Sequence, residues 1–198
     1  MPRRTANTIP TIAGLAVAAV LIVAGVLLTL GHSFVSNQVY NDLATQKIYF
    51  PASNSPAITS LPAASAAEAG KYADQLVTTG PQAQAYADTI MAAQVNHLGG
   101  GLSYSQLIDE VAVSRSNAKA AEIKAANVFR AESIRGQLLS SYEFWKVGQV
   151  MFNAAFVAFA AAAVLLIVSA FGLAGRRRVE AETEAEPKLA ELPVVETV

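Results

Sequence analysis

From Ile12 to Leu30 the chain is an unbroken run of apolar and small residues, with Thr29 its only hydroxyl. A helix over this run, at about 1.5 Å per residue, is roughly 29 Å long and matches a bilayer hydrocarbon core of about 30 Å. A second apolar run extends from Val147 to Leu173 and is followed by Arg176, Arg177 and Arg178. No water-soluble arrangement hides two such runs easily in a chain this short. The two runs therefore predict an all-α membrane protein, with transmembrane helices over residues 12–30 and 147–173 extended into an extracytoplasmic helical bundle over residues 31–146.

The rest of the composition agrees. The chain has 198 residues, of which 53% are hydrophobic and 15% charged, whereas a soluble domain carries about 25% charged residues. A net charge of −1 gives nucleic acid no basic face to bind. Cysteine is absent, which removes disulfides, thiolate metal sites and cysteine nucleophiles. The middle segment of about 115 residues suffices for one small domain.

A cleaved secretory signal would share the basic start and apolar middle of the first run. That run exceeds the usual h-region of about 7–15 residues and lacks an A-x-A end, which favours a retained anchor; the small residues Thr29 and Gly31 keep inefficient cleavage open. Arg3 and Arg4 precede the first run and Arg176 to Arg178 follow the second. The positive-inside rule then places residues 1–11 and the acidic tail 174–198 in the cytoplasm of a plasma-membrane protein. The tail alternates Glu with Ala and Thr and reads as disordered.

Within the second span, Gln149 and Asn153 lie four apart and share a helix face, suited to the wet edge of the bilayer or to bonding a neighbouring helix. Ala154, Ala158 and Ala162 form a small-residue stripe, and Gly14 with Ala18 a shorter one in the first span, both of the kind that permits close helix packing. Tyr142, Phe144 and Trp145 open the second span as rings suited to a headgroup boundary.

Between the spans, Val35, Val39 and Leu43 continue the first helix outward to Phe50, where Pro51 stops it. Residues 52–62 read as a loop. Ala63 to Thr79 reads as a helix with Ala69, Tyr72 and Leu76 on one stripe, and Gly80-Pro81 opens the next, in which Ala83, Tyr86 and Ile90 continue the stripe. Gly99 to Gly101 ends it. Ser103 and Gln106 have capping-box spacing for a long helix that runs into the second span, with Ser114 to Asn117 or Gly136 as places for a bend. Nothing reads as a strand.

The chemistry-bearing residues are sparse. His32 and His97 lack the further ligands a metal site needs, and the glycine triplet lacks the strand and the Lys-Ser/Thr pair of a phosphate loop. The residues therefore suggest no enzyme and no cofactor. The densest polar set is Arg130, Glu132, Arg135 and Glu143, with Gln46 and Lys47 expected at similar height on the first helix. It reads as ion pairs joining two helices, Glu132 with Arg135 at i,i+3, or as a polar seam for an anionic ligand or a partner protein.

Gln46-Lys47-Ile48-Tyr49-Phe50-Pro51, Tyr104-Ser105, and Phe129 to Gly136 followed by Leu138-Leu139 and Tyr142 to Trp145 resemble an actinobacterial family of uncharacterised two-span membrane proteins with an outer helical domain. Ala131 stands where that family usually has glycine. The resemblance covers most of the chain up to Arg178. It implies a mycolic or other high-GC Gram-positive envelope and supports the topology, and it implies no activity. The expectation for function is a non-enzymatic interaction protein of the membrane, an accessory or scaffold subunit of an envelope complex or a homo-oligomer. The alternative is an extracytoplasmic ligand-binding or sensor protein working through a separate signalling partner. The expected partners are the lipid bilayer and another membrane protein or a second copy of the chain.

Overall fold

The computed structural model describes residues 8–113 and 118–190. Its regular elements are α1 (Thr8–Gln46), α2 (Pro56–Thr59), α3 (Ala63–Gly70), α4 (Gly80–Tyr86), a π-helical turn (Ala87–Met91), α5 (Ala92–Gly99), α6 (Tyr104–Val113) and α7 (Ala118–Ala190). Extended pairing among the described residues is confined to one antiparallel bridge, Tyr49 with Leu76. The fold is all-helical, and α1 and α7 are long and apolar enough to cross a membrane. The chain divides into two compact units, Met1–Leu30 with Met151–Val198, and Gly31–Val150.

In the first unit, small side chains hold α1 and α7 together. Thr11, Ala18 and Gly25 are buried on α1, and Ala155, Ala158, Ala162 and Ser169 on α7. They recur every seven residues on α1 and by steps of three, four and seven on α7, the spacing of a heptad-like packing face. The pairing is antiparallel: a Cβ on Gly14 would lie 2.9 Å from Ser169 Oγ, one on Gly25 2.8 Å from the Phe159 ring, and one on Gly172 3.2 Å from Thr11 Oγ1. At Gly14 and Gly25 only a missing side chain permits that approach. The large residues Val20, Leu27, Phe156 and Val164 point outward and are exposed.

The second unit has the opposite arrangement. Leu43, Val77 and Leu138 are fully buried, and Phe50, Ile58 and Met91 nearly so; burying each such side chain contributes about 1.5–3 kcal/mol. A smaller cluster joins Leu107, Ala125 and Val128. Thr79 caps α4 through a reciprocal capping box with Gln82, which satisfies two end donors of the helix. Gly80 is required by packing, since a Cβ there would sit 2.4 Å from the Cβ of Trp145. Trp145, read from the sequence as an interfacial ring, thus closes over the start of α4.

Several boundaries differ from the sequence reading. The helix continuing the first apolar run stops at Gln46, because Lys47 turns into the left-handed region (φ 53°). Ile48 to Phe50 is then extended, with Phe50 N–H donating to the Gln75 carbonyl at 2.9 Å and Val77 N–H to that of Ile48 at 2.8 Å. The helix expected over Ala63 to Thr79 ends at Gly70. A turn follows, with Asp74 left-handed (φ 62°), and Leu76 belongs to the extended pair while Ala69 stays buried. A one-turn helix, α2, interrupts the expected loop, with Ser55 Oγ accepting from the Ala57 N–H.

At the far end α7 continues to Ala190, through residues whose composition reads as disordered; Ala, Glu and Lys are also strong helix formers. Gly100 in the left-handed region (φ 61°) ends α5, and Ser103 and Gln106 cap α6 as their spacing suggests. Ser114 to Asn117 lie outside the described residues, as do Arg3 and Arg4. Gly136 and Arg176 to Arg178 lie within α7.

Candidate functional site

The polar set singled out on the long helix is not one cluster. Arg135 turns to the π-helical turn: its Nε donates to the Ala87 carbonyl at 3.0 Å and its Nη2 pairs with Asp88 Oδ1 at 3.0 Å. The expected i,i+3 pair of Glu132 with Arg135 does not form, because the guanidinium is taken up by a carboxylate distant in sequence. Among the described residues the other ion pair is Lys71 with Glu68. Gln46, Lys47, Arg130 and Glu143 are exposed, and Glu132 is half-buried. The expected ionic seam between the two long helices is therefore absent among these residues.

Arg135 instead fastens a widened turn. The Ala92 N–H reaches back five residues to the Ala87 carbonyl, so this oxygen serves both the π-type bond and the arginine. Single π turns inside α-helices occur often at functional sites. Here the turn has a geometric consequence. In an α-helix, residues five apart point about 140° away from each other, whereas the wider i→i+5 turn brings them toward one face. Tyr86 and Met91, five apart, accordingly line the same cleft.

That cleft has a volume of about 480 Å³ and lies between the π turn with α5 and the middle of α7. Its walls carry the apolar side chains of Ile48, Met91, Leu98 and Ala131, and the polar groups of Tyr86, Gln94, Asn127 and Arg130. The volume falls in the range of small-molecule sites, about 300–1,000 Å³. Phe50 supports the Tyr86 ring edge-on at 5.1 Å and lies 5.3 Å from Tyr72. Burial pushes the Tyr86 phenol above the usual tyrosine value, since the charged form is disfavoured away from water. Arg130 is the one charged group among the lining residues.

A second groove, of about 240 Å³, is lined by Phe34, Val35, Gln38, Val39, Asp42, Ser141 and Phe144. Close by, an Nδ1–H of His32 donates to the Gly148 carbonyl at 2.9 Å, and Gly148 in turn admits Val35. His32 therefore serves helix pairing.

In the first unit, Gly14 is half-buried and Ala18, Ala158 and Ala162 are buried at the helix pair. Ala154 is exposed and Ala155 takes its place, because the buried face advances by alternating steps of three and four while the sequence stripe was drawn in steps of four only. Asn153 is exposed, and Gln149, in the second unit, is half-buried.

Compared with protein-family models, curated proteins and solved structures, the chain matches none. The cleft and the π turn have no counterpart in the sequence reading. The sequence puts Tyr86 on a helical stripe with Ala83 and Ile90, but nothing in Ala87 to Met91 marks a π turn, and Asp88 and Arg135 are too far apart in sequence for spacing to pair them.

Proposed function

We propose that this is an integral membrane protein of the plasma membrane whose Gly31–Val150 unit works outside the cytoplasm as a non-enzymatic interaction module, an accessory subunit of a membrane complex. The supporting observation is the exposure of the apolar helices. Within the most apolar stretch of α1 only 11% is buried, and within that of α7 only 22%. The core helix of a soluble protein would hide such a stretch. Nine large apolar side chains between Ile12 and Leu30 are exposed; at about 1.5–3 kcal/mol each, water forgoes roughly 14–27 kcal/mol that lipid would recover. That exceeds the stability of a typical domain, about 5–15 kcal/mol.

On this reading residues 12–30 and 147–173 are the spans, and both termini are cytoplasmic by the positive-inside rule. The absence of native cysteine makes the topology directly measurable. With Ser53→Cys and Thr183→Cys in separate chains, a membrane-impermeant maleimide added to intact cells should label the first and spare the second. The reverse pattern, or equal labelling, would overturn the topology.

The interaction role is tested by affinity purification of the tagged full chain in mild detergent, with mass spectrometry of what co-purifies near stoichiometry. A reproducible membrane-protein partner is expected. Recovery of the chain alone as a monomer would sink the accessory-subunit reading, and a defined homo-oligomer would reassign the module to self-association.

A further inference from the structure

We propose that the cleft between the π turn and α7 binds a single-chain amphiphile with an acidic head, its tail on Ile48, Met91, Leu98 and Ala131 and its head at Arg130. The inference does not depend on the membrane assignment, since the Gly31–Val150 unit contains the whole cleft. Three observations carry it.

First, the two arginines of this part of α7 have different employment. Arg135 is bonded to Ala87 and Asp88 at 3.0 Å each. Arg130 makes no ion pair among the described residues, and no carboxylate lines the cleft beside it. A guanidinium at the mouth of an apolar cleft, with nothing acidic in its walls, selects an anion.

Second, the lining separates by polarity as an amphiphile requires. Ala131 and Met91 are buried and Leu98 half-buried, while Gln94 and Arg130 are exposed. An apolar tail thus meets the floor while a charged head keeps contact with water, and beside Arg130 and the Tyr86 phenol the Gln94 and Asn127 amides can also donate to a carboxylate.

Third, the wall is preformed. The π turn brings Tyr86 and Met91 toward one face, and Arg135 fastens that turn from the opposite element. A site whose walls are ordered before binding loses less entropy when it fills.

The chain contains three methionines, which gives a local reporter. With ¹³C-methyl methionine in the full chain reconstituted in lipid nanodiscs, Met91 reports on the cleft and Met151 on the other unit. Titration with decanoate is expected to move the Met91 methyl resonance saturably before Met151 responds, with decanol binding more weakly. Arg130→Gln, an exposed change that leaves the core alone, is expected to weaken decanoate about fivefold, the scale of an exposed ion pair, and to leave decanol unchanged. Ile134 also lines the cleft and is exposed, so Ile134→Trp should narrow the cleft and weaken both. A Met91 signal that moves only in parallel with Met151 would overturn the site. Equal affinity for decanoate and decanol, or decanoate binding indifferent to Arg130→Gln, would overturn the acidic head.

Discussion

The two units of this chain solve the packing problem in opposite ways. In Gly31–Val150 large side chains such as Leu43, Leu107 and Leu138 are fully buried. In the unit made of the chain's two apolar runs, glycine, alanine, serine and threonine face inward while Val20, Leu27, Phe156 and Phe171 face outward. Folding driven by water buries the largest apolar surface first. Association in a solvent as apolar as leucine gains nothing from burying leucine, and then close backbone approach decides which face pairs. Under the proposed function the two units work in different solvents, and this contrast is what supports that reading.

The sharpest way to break the comparison is to shorten one leucine in each unit. Leu138→Ala removes a side chain with no exposed surface and should destabilise its unit by about 2–5 kcal/mol. Leu27, 63% exposed, should tolerate the same truncation with less than about 0.5 kcal/mol lost when the protein is in lipid. Thermal denaturation followed by near-UV circular dichroism and hydrogen exchange measures both. A large loss from Leu27→Ala in lipid would mean that its outward face packs on protein.

Next in size is the helix pair itself. Gly25→Leu places side-chain atoms where the Phe159 ring lies 2.8 Å from an ideal Cβ, and overpacking of this kind costs about 1–3 kcal/mol. In the cysteine-free background, Gly14→Cys with Ser169→Cys should form a disulfide readily, and the added Gly25→Leu should slow its formation. An unchanged rate would show that the small-residue face is not what holds α1 to α7.

How far the sequence carried this picture depends on the range of the interactions. Local signals sufficed for the apolar runs, for the capping residues Ser103 and Gln106, and for glycine at the end of α5. Some of the inward positions of the first unit were also within reach, since Gly14, Ala18, Ala158 and Ala162 share small size, whereas Thr11, Gly25 and Ser169 were not singled out. The one misplacement, Ala154 for Ala155, came from extending a four-residue step where paired helices alternate three and four. What depends on distant partners was not legible. The extended segment around Leu76 is stabilised by Ile48 and Phe50, so helical periodicity over Ala63 to Thr79 carried no warning of it. The candidate site was legible only as a list of polar residues on α7. Which arginine is engaged and which faces the cleft is decided by the π turn.

Arg135 provides a test of intermediate size. Arg135→Ala removes bonds to the Ala87 carbonyl and the Asp88 carboxylate, and because the pair is partly exposed the expected loss is about 0.5–1.5 kcal/mol. The effect should be local: hydrogen exchange at Ala87 to Met91 speeds up while Leu43 and its surroundings are unaffected. Exchange spread evenly over the whole unit would mean that the arginine supports the core generally and that the turn holds its own shape.

The smallest effect concerns Tyr86. Its phenol titrates above the usual tyrosine value because burial disfavours the phenolate. The unfolded chain therefore releases this proton at lower pH than the folded one. Stability from this group is fully present below the ordinary tyrosine range and is lost as pH rises through the raised folded value. Absorbance titration near 295 nm should resolve a late component, and Tyr86→Phe should remove it while changing stability at neutral pH by less than about 1 kcal/mol. Filling the cleft with decanoate should delay that component further, because an occupant with an acidic head both excludes water and repels a phenolate. If Tyr86 instead shows no late component, the cleft wall is open to water at the phenol and offers less apolar surface to a tail than its outline suggests.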